Sequence, residues 1–405
     1  MSNIEIRLSR RAYLRTATVR AAATTLAASK VLHPPLAVWG QAEGSARSPA
    51  GATASPASAT PADAAKKIPS EKNSSPATDA PVADQGPELV PAAAAAVRRG
   101  VGWLLRALPR EGGWGTDIGQ PPDIGCTALS GLALLSAGNT PREGPQARET
   151  RRALNYLLEC AARMPADDIT ASLQTQLQNK IGRHAHSFLA ALFLSQVAGE
   201  TLEGAQVRRA LRRVLDAIVA AQTSEGHWGQ TSWAPTLGTV MGWVALRAAH
   251  FAGLRVGASP ETTAAFLARQ MQASLGGAAT AGWMHTLYKN ATGIRVLYAL
   301  GQETTPVARQ AIHETLKLVT SDNTAFTQAG GEEYLAFHLI TETLSQRGGS
   351  DWNAWYGVVR DKIVAVQNED GSWSGAHCIT SRVFCTAAAL LVLNAPRRYL
   401  PISQV

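Results

Sequence analysis

The chain is 405 residues long, 45% hydrophobic and 17% charged, with a formal net charge of +8. No apolar run is long enough to span a bilayer, which excludes a transmembrane helix. Beyond residue 94 the balance falls to 28 basic against 23 acidic residues, and no basic stripe alternates with aromatic side chains, which argues against nucleic-acid binding.

Residues 1–42 carry the twin arginine of "SRRAYLR" (9–15), a mild alanine-rich stretch and a small-residue cleavage pattern near "VWGQA". This resembles a Tat-type export signal and predicts a periplasmic destination; a merely basic leader is the bland alternative. Residues 43–91 are rich in Ala, Pro and Ser, too poor in large apolar groups to offset chain entropy, and are expected to form a disordered linker.

From 92 to 405 the apolar spacing is helical. Twelve segments pair up. The first members are expected near 92–108, 146–161, 205–222, 260–272, 305–319 and 351–367. The second members are expected near 124–138, 184–198, 236–253, 289–301, 332–346 and 380–394. First members are Arg-rich on one side ("AQVRRALRRVLDAIVAAQ"), as outer helices are, and second members are apolar or small nearly all round ("SFLAALFLSQVAG"), as buried ones are. The terminal pairs carry no polar cap, so the six hairpins are expected to close rather than end as an open stack. Every long connection, and every inner-helix N-terminus, would then lie at one rim.

A motif recurs in those long connections. Gln222, Gly226 and Trp228 have the spacing of Gln367, Gly371 and Trp373, and "LPREGGWGT" repeats it as Leu108, Gly112 and Trp114. Thr127, Thr239 and Thr386 follow the three tryptophans by 13, 11 and 13 residues. The glycine supplies a positive φ, the glutamine satisfies late carbonyls of the outer helix, and the indole N–H finds a carbonyl, so the motif reads as a structural clamp between hairpins.

Glutamine, glycine and tryptophan in this arrangement resemble the QW repeats of squalene and oxidosqualene cyclases and the related repeats of protein prenyltransferases. The segments "HAHSFLAALFLSQVAG", "QNEDGSW" and "APRRYLPISQ" are most similar to bacterial prenyltransferase and squalene oxidase repeat proteins. The resemblance covers about residues 95–405 and implies an all-α, (α/α)6 toroid with a central, mostly apolar cavity. It carries the chemistry less well. The DxDD acid motif of the cyclases is absent, "PADDIT" with Asp167 and Asp168 being its nearest approach. The Asp-x-Cys and His zinc ligands of the prenyltransferases are absent too; His377, Cys378 and Cys385 form a cluster of soft ligands that could meet a metal, but no acid lies at ligand spacing, so neither metal nor cofactor is expected.

Candidate ligand-contacting residues are His186, Trp233, Lys289, Tyr334, His377 and Arg382. Lys289, Arg382 and Arg183 near inner-helix starts suit a phosphate, while Trp233, Trp283 and Tyr288 either line the rim or pack beneath loops. His184 and His186 read as hydrogen-bonded rim histidines, Glu332 and Glu333 as acids suited to a helix N-terminus, and Asp117 and Asp123 as loop caps or a carboxylate pair for sugar chemistry. Closure would make Cys126 and Cys385 neighbours, as a disulfide or as core thiols. The functional expectation is an exported toroid that holds an elongated apolar small molecule, such as an isoprenoid. A divergent cyclase or prenyltransferase, and a carbohydrate-active barrel or interaction scaffold, are the alternatives.

Overall fold

The computed structural model describes residues 89–163, 175–229, 231–255, 257, 260–273 and 282–404. The chain divides after Gln85, and every described residue belongs to the second unit, Gly86–Val405. The expected leader, nearly all of the expected linker, and the Asp167–Asp168 pair lie outside the described residues.

Among the described residues the secondary structure is helical, without strands. The first three pairs are α1 (Pro91–Ala107) with α2 (Ile124–Ser136), α3 (Ala147–Arg163) with α5 (Ala185–Val197), and α6 (Gly204–Ala220) with α7 (Pro235–Phe251). They are followed by α8 (Pro260–Ala273) with α9 (Trp283–Ala299), α10 (Pro306–Ser321) with α12 (Gly331–Arg347), and α13 (Gly349–Ala365) with α14 (Arg382–Asn394). Two short helices in the long connections, α4 (Gln176–Ile181) and α11 (Thr324–Thr327), have no counterpart in the sequence reading, and α9 begins six residues earlier than expected, at Trp283 rather than 289.

The division into outer and inner helices follows from side-chain pattern. α6 buries Val207, Leu211, Val214, Leu215 and Ile218, one stripe at helical spacing, and leaves its arginines outside. In α2 every residue is buried, because Gly, Ala, Ser and Thr let neighbouring helices come close: a Cβ on Gly131 would lie 2.5 Å from the Phe193 ring. The inner helices pack in the order α2, α5, α7, α9, α12, α14, and α14 packs back on α2; the outer helix α1 also meets α13 and α14.

The repeated motif makes that last junction. The indole N–H of Trp114, Trp228 and Trp373 donates to Leu104, Ile218 and Ile363, in each case the carbonyl ten residues earlier in its own outer helix, at 2.7–2.8 Å. Thr127 and Thr386 accept from the backbone N–H of Trp114 and Trp373; Thr239, two residues closer to its tryptophan, does not, and its hydroxyl has no partner. The glutamine departs from expectation. Gln367 donates to the carbonyl of its own Gly371 and to Ala96 of α1, and Gln222 to Gly226 and to Thr263 of α8, so it reaches the next outer helix rather than the end of its own. Gly371 has φ +96° and a Cβ there would lie 2.7 Å from the Arg99 carbonyl, so both the conformation and the close approach require glycine.

The interior between the inner helices is filled. Leu132, Leu189, Met241, Val244, Leu335 and Leu339 surround a void of about 20 Å³, and a second void of about 10 Å³ lies beside Ser136 and Asn394. Each offers room for about one water molecule. Among the described residues these two voids are too small for an elongated apolar ligand, since branched and sulfur-bearing side chains meet where the small residues of the helix backs had suggested space.

Below this layer sits a buried polar group: Arg295 and Glu342 form an ion pair at 3.1 Å, and Ser403 donates to Glu342 at 2.8 Å. Ser403 comes from the C-terminal segment, which crosses the inner helices. The N–H of Ile402 donates to Gln196 of α5 and its carbonyl accepts from Gln346 of α12.

Candidate metal centre and adjoining pocket

A second set of polar side chains gathers at the N-terminal ends of the inner helices. α4 bridges this end: its residues pack against α5 and α7, and the Gln176 side chain exchanges hydrogen bonds with Thr380 ahead of α14, accepting from its N–H at 3.1 Å and donating to its hydroxyl at 3.2 Å.

Backbone pairing builds the first site. Ala376 donates to Ala329, and Gly331 to Ile379, so the segment before α14 is tied alongside the start of α12. Between these anchors lie His377 and Cys378, the latter with φ +55°. Facing them are Glu332 and Glu333, both fully buried. The sequence gives these two acids one role, but the structure separates them. Glu333 accepts from Gly330 N–H at 2.6 Å, closing the helix cap, and from the Tyr288 hydroxyl. Glu332 accepts from Ile379 N–H, at 3.2 Å, and meets the Cys378 thiol, while its Oε1 is buried without a hydrogen-bond partner among the described residues. One ligand atom from each of Glu332, His377 and Cys378 lies within 4.8 Å of the others. His377 Nε2 is 3.7 Å from Glu333 Oε2 and is buried without a hydrogen bond.

Burial, then the neighbouring Glu332, raises the Glu333 carboxyl above its ordinary range, with the Tyr288 hydroxyl pulling the other way. Burial and the Glu333 charge push the Tyr288 hydroxyl up, so it remains a donor. Burial and Glu332 raise the Cys378 thiol, and Lys180 of α4 opposes them. Two adjoining buried carboxylates beside a thiol make a site that a cation would stabilise.

A pocket of about 440 Å³ adjoins this cluster, between the starts of α2 and α14 and the bridging α4. Asp123 lies on its wall and caps α2, accepting from Cys126 N–H at 2.7 Å and pairing with His186 Nε2 at 3.0 Å. Burial pushes the Asp123 carboxyl up, but His186 and the Cys126 N–H together bring it below its usual value. Ser381 caps α14 and donates to the Thr116 carbonyl, which joins the first and last long connections.

The other candidates are dispersed. Arg382 lines the pocket but is occupied: it pairs with Asp370 and, at 3.6 Å, Asp117, and lies over the Trp103 ring. Trp233 is 44% exposed, its ring tilted against His285 with Lys180 above it. Lys289 pairs with Glu314 of the outer helix α10 at 3.8 Å, so it faces away from the interior instead of holding a phosphate there. Tyr334 is buried edge-on to Phe337, as core. Cys126 and Cys385 are buried free thiols, each raised by burial.

The acid that the "HCITSRVFC" cluster lacks is Glu332, 45 residues before His377 in the chain. A faint signal exists in the sequence, since one glutamate suffices to close a helix cap and this helix begins with two. No protein-family model matches the chain, and no curated protein matches it.

Proposed function

We propose that the described unit is an α/α toroid of the cyclase and prenyltransferase type that carries a divalent-metal centre, most suitably zinc, on Glu332, His377 and Cys378. The unbroken circuit of inner helices supports the toroid. The observation that carries the metal is the convergence of three ligand atoms within 4.8 Å, two of the three residues offering a buried atom without a hydrogen-bond partner. An oxygen, nitrogen and sulfur set suits zinc, and three protein ligands leave a fourth position for water or substrate, the composition of catalytic zinc sites. Ligands around zinc lie roughly 3.3–3.8 Å apart given bond lengths of about 2.0–2.3 Å, so binding needs an inward movement of about 1 Å.

The function that follows is metal-assisted chemistry on a ligand that approaches from the long-connection end, as in the enzyme alternative, and not storage of a long apolar chain in the filled interior. Purified protein is expected to hold about one zinc per chain by elemental analysis, and cobalt substitution to show a thiolate charge-transfer band. Cys378→Ser should remove the band, and Glu332→Gln should weaken binding by at least the roughly 10–100-fold that loss of an outer-shell partner costs. Metal-free protein that neither takes up zinc nor gives a cobalt–thiolate band overturns the reading. Export through the "SRRAYLR" leader is a second proposal: full-length protein should be found in the periplasmic fraction, and Arg10→Lys/Arg11→Lys should retain it inside; an unchanged distribution would refute it.

A further inference from the structure

The pocket beside the metal cluster has a chemistry of its own, set by which of its polar groups are already used. Its cationic group, Arg382, is taken up by Asp370, Asp117, the Ser372 hydroxyl and the Trp103 face. The two helix N-termini that face it, those of α2 and α14, are capped by Asp123 and Ser381. Among the described residues that line the pocket, an entering anion would find no free cation and no open helix end, and would meet Asp117 and Asp123.

What remains available is neutral or accepting. Asp117 uses Oδ1 on the Ile118 N–H, at 2.7 Å, leaving Oδ2 as an acceptor. Gln120 is exposed on the pocket wall and its amide is committed to no other described residue. Thr116 adds a hydroxyl, those of Thr175 and Thr380 being engaged by Gln178 and Gln176, and Leu177, Ile379 and Phe384 provide an apolar side. A volume of about 440 Å³ is of the size that holds a small ring compound.

We propose that this pocket binds a neutral, hydroxyl-rich ring compound, a carbohydrate, with Asp117 and Gln120 reading its hydroxyl groups and the Leu177–Ile379–Phe384 side receiving a C–H face. The role is binding rather than cleavage. Asp123, the second carboxylate of the expected sugar-chemistry pair, has both oxygens engaged by Cys126 and His186. The inference does not depend on the metal centre, whose residues lie outside the pocket wall.

The test is calorimetric titration of the full chain with cellobiose, maltose and an N-acetylglucosamine dimer, alongside sodium phosphate and citrate. At least one sugar is expected to bind saturably and the two anions not to bind. Asp117→Asn should weaken the sugar by about tenfold or more, as loss of a charged hydrogen-bond acceptor does. Gln120→Trp, which fills the pocket from an exposed position, should abolish binding with the melting temperature unchanged. The proposal is overturned if none of the three sugars binds, if phosphate or citrate binds in their place, or if sugar binding is the same in both variants as in the parent protein.

Discussion

Trp373→Ala is expected to lower the unfolding free energy by about 3–5 kcal/mol, the range for emptying a buried aromatic site. Trp373 is fully buried, its N–H held by Ile363 and its backbone by Thr386. It also lies at the junction of the last pair with the first: a Cβ on Gly100 of α1 would be 2.8 Å from its ring. The loss should therefore release α1 before the rest of the unit unfolds, and limited proteolysis would show cleavage within 91–107 ahead of other sites. Trp373→Phe keeps most of the apolar contact and strands the Ile363 carbonyl, so about 1–3 kcal/mol is expected. Urea denaturation monitored by circular dichroism measures both. A Trp373→Ala protein with parental stability and an intact α1 would show that the repeated motif is not a clamp.

Glu342→Ala should be comparably costly, at about 3–5 kcal/mol, because it leaves Arg295 charged and buried. Arg295 is 1% exposed, its Nε has no partner, and Arg247 is close enough to be affected by its charge. The double change Arg295→Met/Glu342→Ala is expected to recover part of the loss, since it removes the stranded charge. The exposed pair Arg163–Glu159, by contrast, should be worth less than about 1 kcal/mol.

The same group sets an acid limit. Burial lowers His338 below its ordinary 6.5 and keeps it neutral, with Glu342 opposing and Arg295 reinforcing. The unfolded chain takes up a proton at this histidine as pH falls below 6.5 and the folded protein does not until lower pH, so stability declines across that interval. Glu342, which burial raises but Arg295, His338 and Ser403 hold below 4.5, contributes stability above 4.5 that is lost as pH falls through its folded value. Melting temperatures from pH 7 to 4 should fall in the parent protein, and His338→Gln should remove the first part of that fall. An identical profile in the variant would assign it elsewhere.

The helices, their pairing and their outer or inner character were legible in the chain because each follows from local pattern: an Arg-flanked apolar stripe for α6, small and apolar residues all round for α2, and a glycine–tryptophan stop between them. The clamp was legible in kind, and its glutamine was misplaced by one helix, because a side-chain amide at a helix end has two carbonyl neighbours at similar reach and only the packing of α1 against α13 chooses between them.

Volume and convergence were decided by tertiary structure alone. How much space the interior leaves depends on where Leu132, Met241, Leu335 and Leu339 point once the inner helices have packed, a sum over distant residues that no stretch of sequence contains. The metal cluster has the same origin. His377 and Cys378 are adjacent in the chain, but the acid they need arrives from 45 residues away through two backbone hydrogen bonds, Ala376 to Ala329 and Gly331 to Ile379. Local spacing determines elements because their hydrogen bonds are local; ligand geometry is set by contacts between elements, and those exist only after the chain has folded.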